Sequence, residues 1–76
     1  MYERIRNFRE DKDWSQEAVA TYLNIHQTTY SNYELGKTIV SVEALIKLAD
    51  LYKTSIDYLV GRTDEPTPYP RKKKTP

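Results

Sequence analysis

Seventy-six residues with 38% hydrophobic and 30% charged side chains and a net charge of +1 make one domain at most, with a composition that suits a compact helical unit rather than a disordered chain. There is no cysteine and one histidine, His26, which excludes disulfide staples and thiolate metal centres and argues against any metal or other cofactor site. No apolar run approaches membrane-spanning length and no signal peptide is visible, so the expected compartment is the cytoplasm.

Tyr2, Ile5 and Phe8 recur at helical spacing and predict an amphipathic helix over residues 2–12, followed by Trp14 as an apolar plug. Ser15 is a good N-cap, with Gln16 and Glu17 in the first turn and Val19, Ala20 and Leu23 on the inner face of a second helix. Asn24 ends that helix, because asparagine tolerates the left-handed conformation of a tight turn. A third helix starts near His26 or Gln27 and stops at Gly36, and residues 37–40 form a loop. Ser41 caps a fourth helix whose expected apolar stripe is Val42, Leu45, Ile46, Ala49 and Tyr52. Ser55 caps a short fifth helix with Ile56 and Leu59 inward, stopped by Gly61. Beyond it the chain is rich in Pro and Lys and reads as a disordered tail over residues 65–76. The expected fold is all-α: five helices in one domain over residues 1–64.

Charge is unevenly placed. Four of the twelve basic residues, Arg71 to Lys74, lie in the tail, so residues 1–65 carry eight basic against eleven acidic groups. Attraction to nucleic acid would therefore need local clustering, and Arg4, Arg6, Arg9 and Lys12 do fall within the first twelve residues, with Lys37 further on.

The third helix carries the most chemistry. Its sequence, with the residue before it, is HQTTYSNYEL. At about 100° per residue, with Gln27 as zero, Ser31 lies near ~40°, Thr28 near ~100° and Asn32 near ~140°, while Tyr33 and Tyr30 lie near ~240° and ~300°. One continuous face is thus uncharged and polar, opposite two tyrosines that anchor it. An ordinary solvated face would carry Lys and Glu; Thr, Ser and Asn cost helix propensity instead. Planar amides can both donate to and accept from adenine in the major groove, and hydroxyls suit several bases.

The run SQEAVATYLNIHQTTYSNYELGK resembles the helix-turn-helix of the lambda-repressor-like, Cro/CI-type (XRE) family of bacterial and phage DNA-binding proteins. IRNFREDKDWSQE is similar to that family's first helix, and SVEALIKLADLYKTSIDYLVGRTD to its fourth and fifth, so the likeness covers residues 2–64 with the helix-turn-helix at about 15–35. The resemblance implies a homodimeric transcriptional regulator, a repressor, on a palindromic double-stranded operator. It implies base contacts from Gln27, Thr28, Ser31 and Asn32. Phosphate contacts would come from Gln16, which would also brace Gln27, from His26, and from the backbone around Gly36 with Lys37 and Thr38. Arg9 and Glu34 match a structural pair between the first and third helices. Ile56, Tyr58 and Leu59 are candidates for the dimer interface. The chain departs from the family pattern at Asn24, Ala18, His26, Leu35 and Lys53, where Gly, an acid, a Ser or Thr cap, Asn and Gly are usual.

An enzyme is not expected. The one histidine has no acidic neighbour in sequence, the serines are explained as caps and polar face, and no Gly-rich phosphate loop is present. No small-molecule ligand is evident. The alternative from another class is a protein-interaction module of the same fold, such as an antitoxin or anti-repressor partner. The basic tail is either solvated or an arm adding non-specific DNA affinity.

Overall fold

Three serines open three of the five helices in the same way. Ser15 Oγ accepts from the Ala18 N–H at 3.0 Å, Ser41 Oγ from Ala44 at 3.1 Å and Ser55 Oγ from Tyr58 at 3.0 Å. Each satisfies one of the N–H groups that a helix start leaves without a partner, worth about 1 kcal/mol. The computed structural model describes residues 2–68. Its elements are α1 (Glu3–Asp11), α2 (Gln16–Leu23), α3 (Gln27–Leu35), α4 (Val42–Tyr52) and α5 (Ile56–Leu59). Among the described residues there is no strand.

All five helices also end alike. A residue with positive φ reverses the chain, and the next N–H bonds a carbonyl five residues back, as in the Schellman closure. The bonds run from Trp14 to Arg9, Ile25 to Ala20, Lys37 to Asn32, Thr54 to Ala49 and Arg62 to Asp57, at 2.8 to 3.2 Å. Glycine supplies the left-handed residue twice, as Gly36 and Gly61; Asp13, Asn24 and Lys53 do so elsewhere. Asn24 therefore complies with the turn where the family usually has glycine. Lys53 has no such local compensation at φ 53°. Lys53→Gly is expected to stabilise the domain by about 0.5–1 kcal/mol, because relief of left-handed strain exceeds glycine's entropic cost. A thermal melt should show it as a rise of a few degrees.

The core gathers one face from every helix, with Ile5, Val19, Tyr30, Leu48 and Leu59 essentially inaccessible. α2 packs on α3, α1 lies against α3 and α5, and α4 closes against α2 and α5. An aromatic ladder joins the first and fourth helices: Phe8 stacks on Tyr52 at 5.0 Å between centroids, and Trp14 stacks on the same ring at 6.0 Å. Trp14 is a lid on this ladder rather than a buried plug, since 36% of it stays exposed.

Two expectations change. The buried face of α4 is Ala44, Leu45, Leu48, Ala49 and Tyr52, whereas Val42 and Ile46 are 69% and 48% exposed. The helix VEALIKLADLY is apolar at eight of eleven positions, so its periodicity fits two adjacent stripes. The packing of α2 and α5 selects the one about 60° further round. The second change concerns the dimer candidates on α5. Leu59 is 1% exposed and belongs to the core, and Ile56 packs against it. Tyr58 lies under the Arg4 guanidinium, 4.0 Å from the ring centroid, and meets Phe8 edge-on. Leu59 is therefore a core residue, while Ile56 and Tyr58 stay half-exposed.

Arg4 holds the C-terminal segment to α1. Its guanidinium donates to the carbonyls of Tyr58 and Thr63 and to the Asp64 carboxylate. Beyond it Thr54 Oγ1 donates to the Pro66 carbonyl at 2.7 Å, so residues 65–68 run beside the α4–α5 junction without forming a helix. The rest of the expected tail, 69–76, lies outside the described residues.

Candidate nucleic-acid interface

α2 and α3 are joined by residues 24–26 and share a polar edge. On α3, Tyr30 and Tyr33 are buried at 0% and 6% exposure and meet edge-on at 6.4 Å. Their opposite face holds Gln27 and Thr28, both exposed, and Ser31 and Asn32, half-exposed. No hydrogen bond within the described residues engages these four side chains, so their donors and acceptors are available to a partner. The expected face is therefore assembled as the spacing implied. His26 occupies the N-cap of α3 in extended conformation without a side-chain cap bond, and its exposed ring sits at the same end of the helix.

The base of α3 is fixed by a buried ionic cluster. Arg9 Nε and Nη2 donate to the two oxygens of Glu34 at 2.7 and 3.1 Å, and Arg9 Nη1 donates to the Trp14 carbonyl at 2.9 Å. The two side chains are only 13% and 4% exposed. Gln16 Nε2 adds a third donor to Glu34 at 3.0 Å. One carboxylate thus ties α1, α2 and α3 together, and the expected Arg9–Glu34 pair is present. Gln16 departs from expectation: its amide is committed to Glu34 and no bond braces Gln27. The signal available in sequence was its place in the first turn of α2, facing the end of α3.

Burial would raise the Glu34 pKa, but the hydrogen bonds from Arg9 and Gln16, with the Tyr30 hydroxyl close by, outweigh it and hold the carboxyl below its ordinary value. The Tyr30 and Tyr52 hydroxyls are buried without a well-formed hydrogen bond. Burial first, and then the nearby Glu34 carboxylate, pushes both phenols up, Tyr52 to about 12. Because the folded Glu34 carboxyl binds its proton more weakly than the unfolded one, the unfolded state carries more protons in acid. The pair's contribution is fully present above the unfolded value, near ~4.3, and is lost as pH falls through the lower folded value. Urea midpoints of the wild type should drop through that window, and Glu34→Gln should show a shallower dependence from a lower plateau.

Two further expectations are corrected. The N–H groups of Gly36 and Lys37 already bond the Tyr33 and Asn32 carbonyls at 3.1 and 2.9 Å, so they cannot also grip a phosphate. What remains exposed at that edge is the Lys37 ammonium and Thr38. The N-terminal basic cluster is engaged within the chain to differing degrees: Arg4 bonds Asp64 and Arg9 bonds Glu34, whereas Arg6, on an exposed pair with Glu10, and Lys12, 5.8 Å from the Trp14 ring centroid, stay exposed. Among the described residues no group of His, Cys, Asp or Glu could hold a metal, and no helix is long and apolar enough to cross a membrane.

A five-helix domain whose second and third helices meet across a three-residue turn, the third anchored by aromatics and polar outward, is a helix-turn-helix domain. A helix-turn-helix family model matches residues 5–59, and the chain belongs to this family, the lambda-repressor-like, Cro/CI-type (XRE) group. It is 43% identical over 60 residues to the HTH-type transcriptional regulator AnsR of Bacillus subtilis, covering 79% of this chain and 52% of that protein. It is 40% identical over 65 residues to the cryptic phage CTXphi transcriptional repressor RstR of Vibrio cholerae, covering 83% and 58%. It is 34% identical over 61 residues to the HTH-type transcriptional regulator ImmR of Bacillus subtilis, covering 80% and 48%. The chain spans about half the length of these curated relatives, which carry the names of regulators and repressors rather than enzymes. No solved structure matches the chain significantly.

Proposed function

We propose that this chain is a sequence-specific reader of double-stranded DNA that regulates transcription as a repressor, acting in the cytoplasm on the nucleoid as a homodimer on a palindromic operator. The observation that carries the reading is the outward face of α3, whose amides and hydroxyls have no internal partners while its tyrosines lock the helix from behind. Gln27 and Thr28, in the first turn, read base edges; Ser31 and Asn32, one turn later, reach bases or phosphate. Lys37 and Thr38, with the exposed His26 ring, contact phosphates on either side of the groove, and the second amide hydrogen of Gln16 is directed to the backbone. The names of the relatives support the regulatory role. Two copies would set their α3 helices about 34 Å apart, one turn of duplex.

Selection from random duplex DNA with the purified protein tests this reading. An enriched inverted repeat is expected, its half-sites separated by one helical turn. Absence of enrichment at low salt would overturn the reading and leave the protein-interaction module as the account of the fold.

A further inference from the structure

The outward side of the α3–α4 connection is aliphatic. Leu35, the last residue of α3, is 61% exposed; Ile39, in the loop, 83%; Val42, the first residue of α4, 69%; and Ile46, one turn on, 48%. The loop has its inward anchor already in Val40, at 3% exposure, so Ile39 is not needed to pin it. At Val42 and Ile46 the branched side chains cost helix propensity as well as exposing apolar area. None of the four contributes to the core; Leu35, near ~80° on the scale that puts Gln27 at zero, closes the polar face of α3, and the other three lie outside that helix. A run of aliphatic side chains with no job inside the domain marks a contact surface.

We propose that this strip, rather than α5, is the surface through which a second copy of the chain binds. The proposal names the partner that the DNA reading requires and rests on that reading for its geometry. Three features select a second copy. The strip begins where α3 ends, beside Lys37 and Thr38, so it adjoins the face that the DNA reading uses. Aliphatic groups alone are self-complementary, as a two-fold contact demands. The rim supplies charge complementarity: Glu43 and Lys47 lie on one flank of the strip, and among the described residues neither is in an ion pair. An antiparallel crossing of two α4 helices sets Val42 against Ile46 of the second copy and, on that flank, Glu43 toward Lys47 of the second copy. Four aliphatic side chains and this rim make a small contact, below about 1,200 Å² in total, the size of a transient association. The dimer is accordingly weak in free solution and is reinforced when both copies hold one duplex.

Sedimentation equilibrium from micromolar to millimolar protein, on the wild type and on Val42→Asp/Ile46→Glu, tests the surface. The wild type should show a monomer–dimer equilibrium and the double variant a dimer Kd at least tenfold higher, with unchanged circular dichroism and melting, since both sites are exposed. The absence of cysteine permits a second arm. Ile39→Cys should oxidise to a disulfide-linked dimer faster than Tyr22→Cys, a half-exposed site elsewhere on α2. A wild type monomeric to millimolar concentration, a dimer indifferent to the double variant, or equal oxidation rates would each overturn the proposal. DNA arms separate it from the reading beneath it. The double variant should keep half-site binding and lose the cooperative gain on the inverted repeat. A wild type that dimerises through the strip but binds no duplex would sink the DNA reading while leaving the surface standing.

Discussion

Arg9→Ala is expected to cost about 3–5 kcal/mol, the loss typical when one partner of a buried ion pair is removed. The Glu34 carboxylate would remain 4% exposed, with Gln16 as its one remaining donor among the bonds it accepts. The Trp14 carbonyl would lose its donor as well. A single core in a chain below 70–80 residues rarely supplies more than about 3–5 kcal/mol, so the variant should be largely unfolded at 37 °C. Urea titration followed by circular dichroism measures the effect. The same physics makes an unusual companion prediction. Arg9→Met/Glu34→Leu, which removes both charges and keeps the volume, should recover most of the loss, because two desolvated ions are exchanged for packed apolar surface. A penalty below about 1 kcal/mol for Arg9→Ala would place the pair among weak surface bridges and remove its role as the tie between α1, α2 and α3.

The largest effect on recognition is expected at the start of α3. Gln27→Ala should weaken binding to the selected operator by about 1–3 kcal/mol, roughly five- to 150-fold, and flatten discrimination at one base pair of each half-site. Thr28→Ala should act in the same direction at a neighbouring pair. Alanine is the better helix former and both side chains are exposed without internal bonds. The melting temperature should therefore hold or rise while affinity falls, which separates lost contacts from lost folding. Titration against the operator and a set of single-base variants reads both quantities. If Gln27→Ala left every base preference intact, the assignment of base contacts to the first turn of α3 would be wrong.

Helix boundaries were legible because they are set by local chemistry. Ser15, Ser41 and Ser55 cap by reaching N–H groups three residues ahead, and Asn24 and Gly36 adopt the left-handed turn. The polar face of α3 was legible for a related reason: nine residues of helix fix the angles between Gln27, Thr28, Ser31 and Asn32 once the tyrosines are assigned inward. What depended on partners distant in sequence was not. Val42 and Ile46 cannot be told from Ala44 and Leu48 by period when most of α4 is apolar. The arginines of α1 read as a basic cluster, yet the acceptors of Arg4 and Arg9, at Asp64 and Glu34, are 60 and 25 residues away. The N–H groups of Gly36 and Lys37 looked open because the closing bonds of a Schellman turn are invisible until the chain reverses.

The ties between α1 and residues 52–64 bear on how the protein is made. α1 is synthesised before Tyr52, which stacks on Phe8, and before the Tyr58 and Thr63 carbonyls and the Asp64 carboxylate, which receive Arg4. The helix-turn-helix can be translated in full while the first helix still lacks its stacking partner and the clasp for Arg4. Translation itself therefore sets the order of events: the helix-turn-helix is complete in sequence well before the domain can close around it, and the Arg4 clasp waits on the emergence of residue 64.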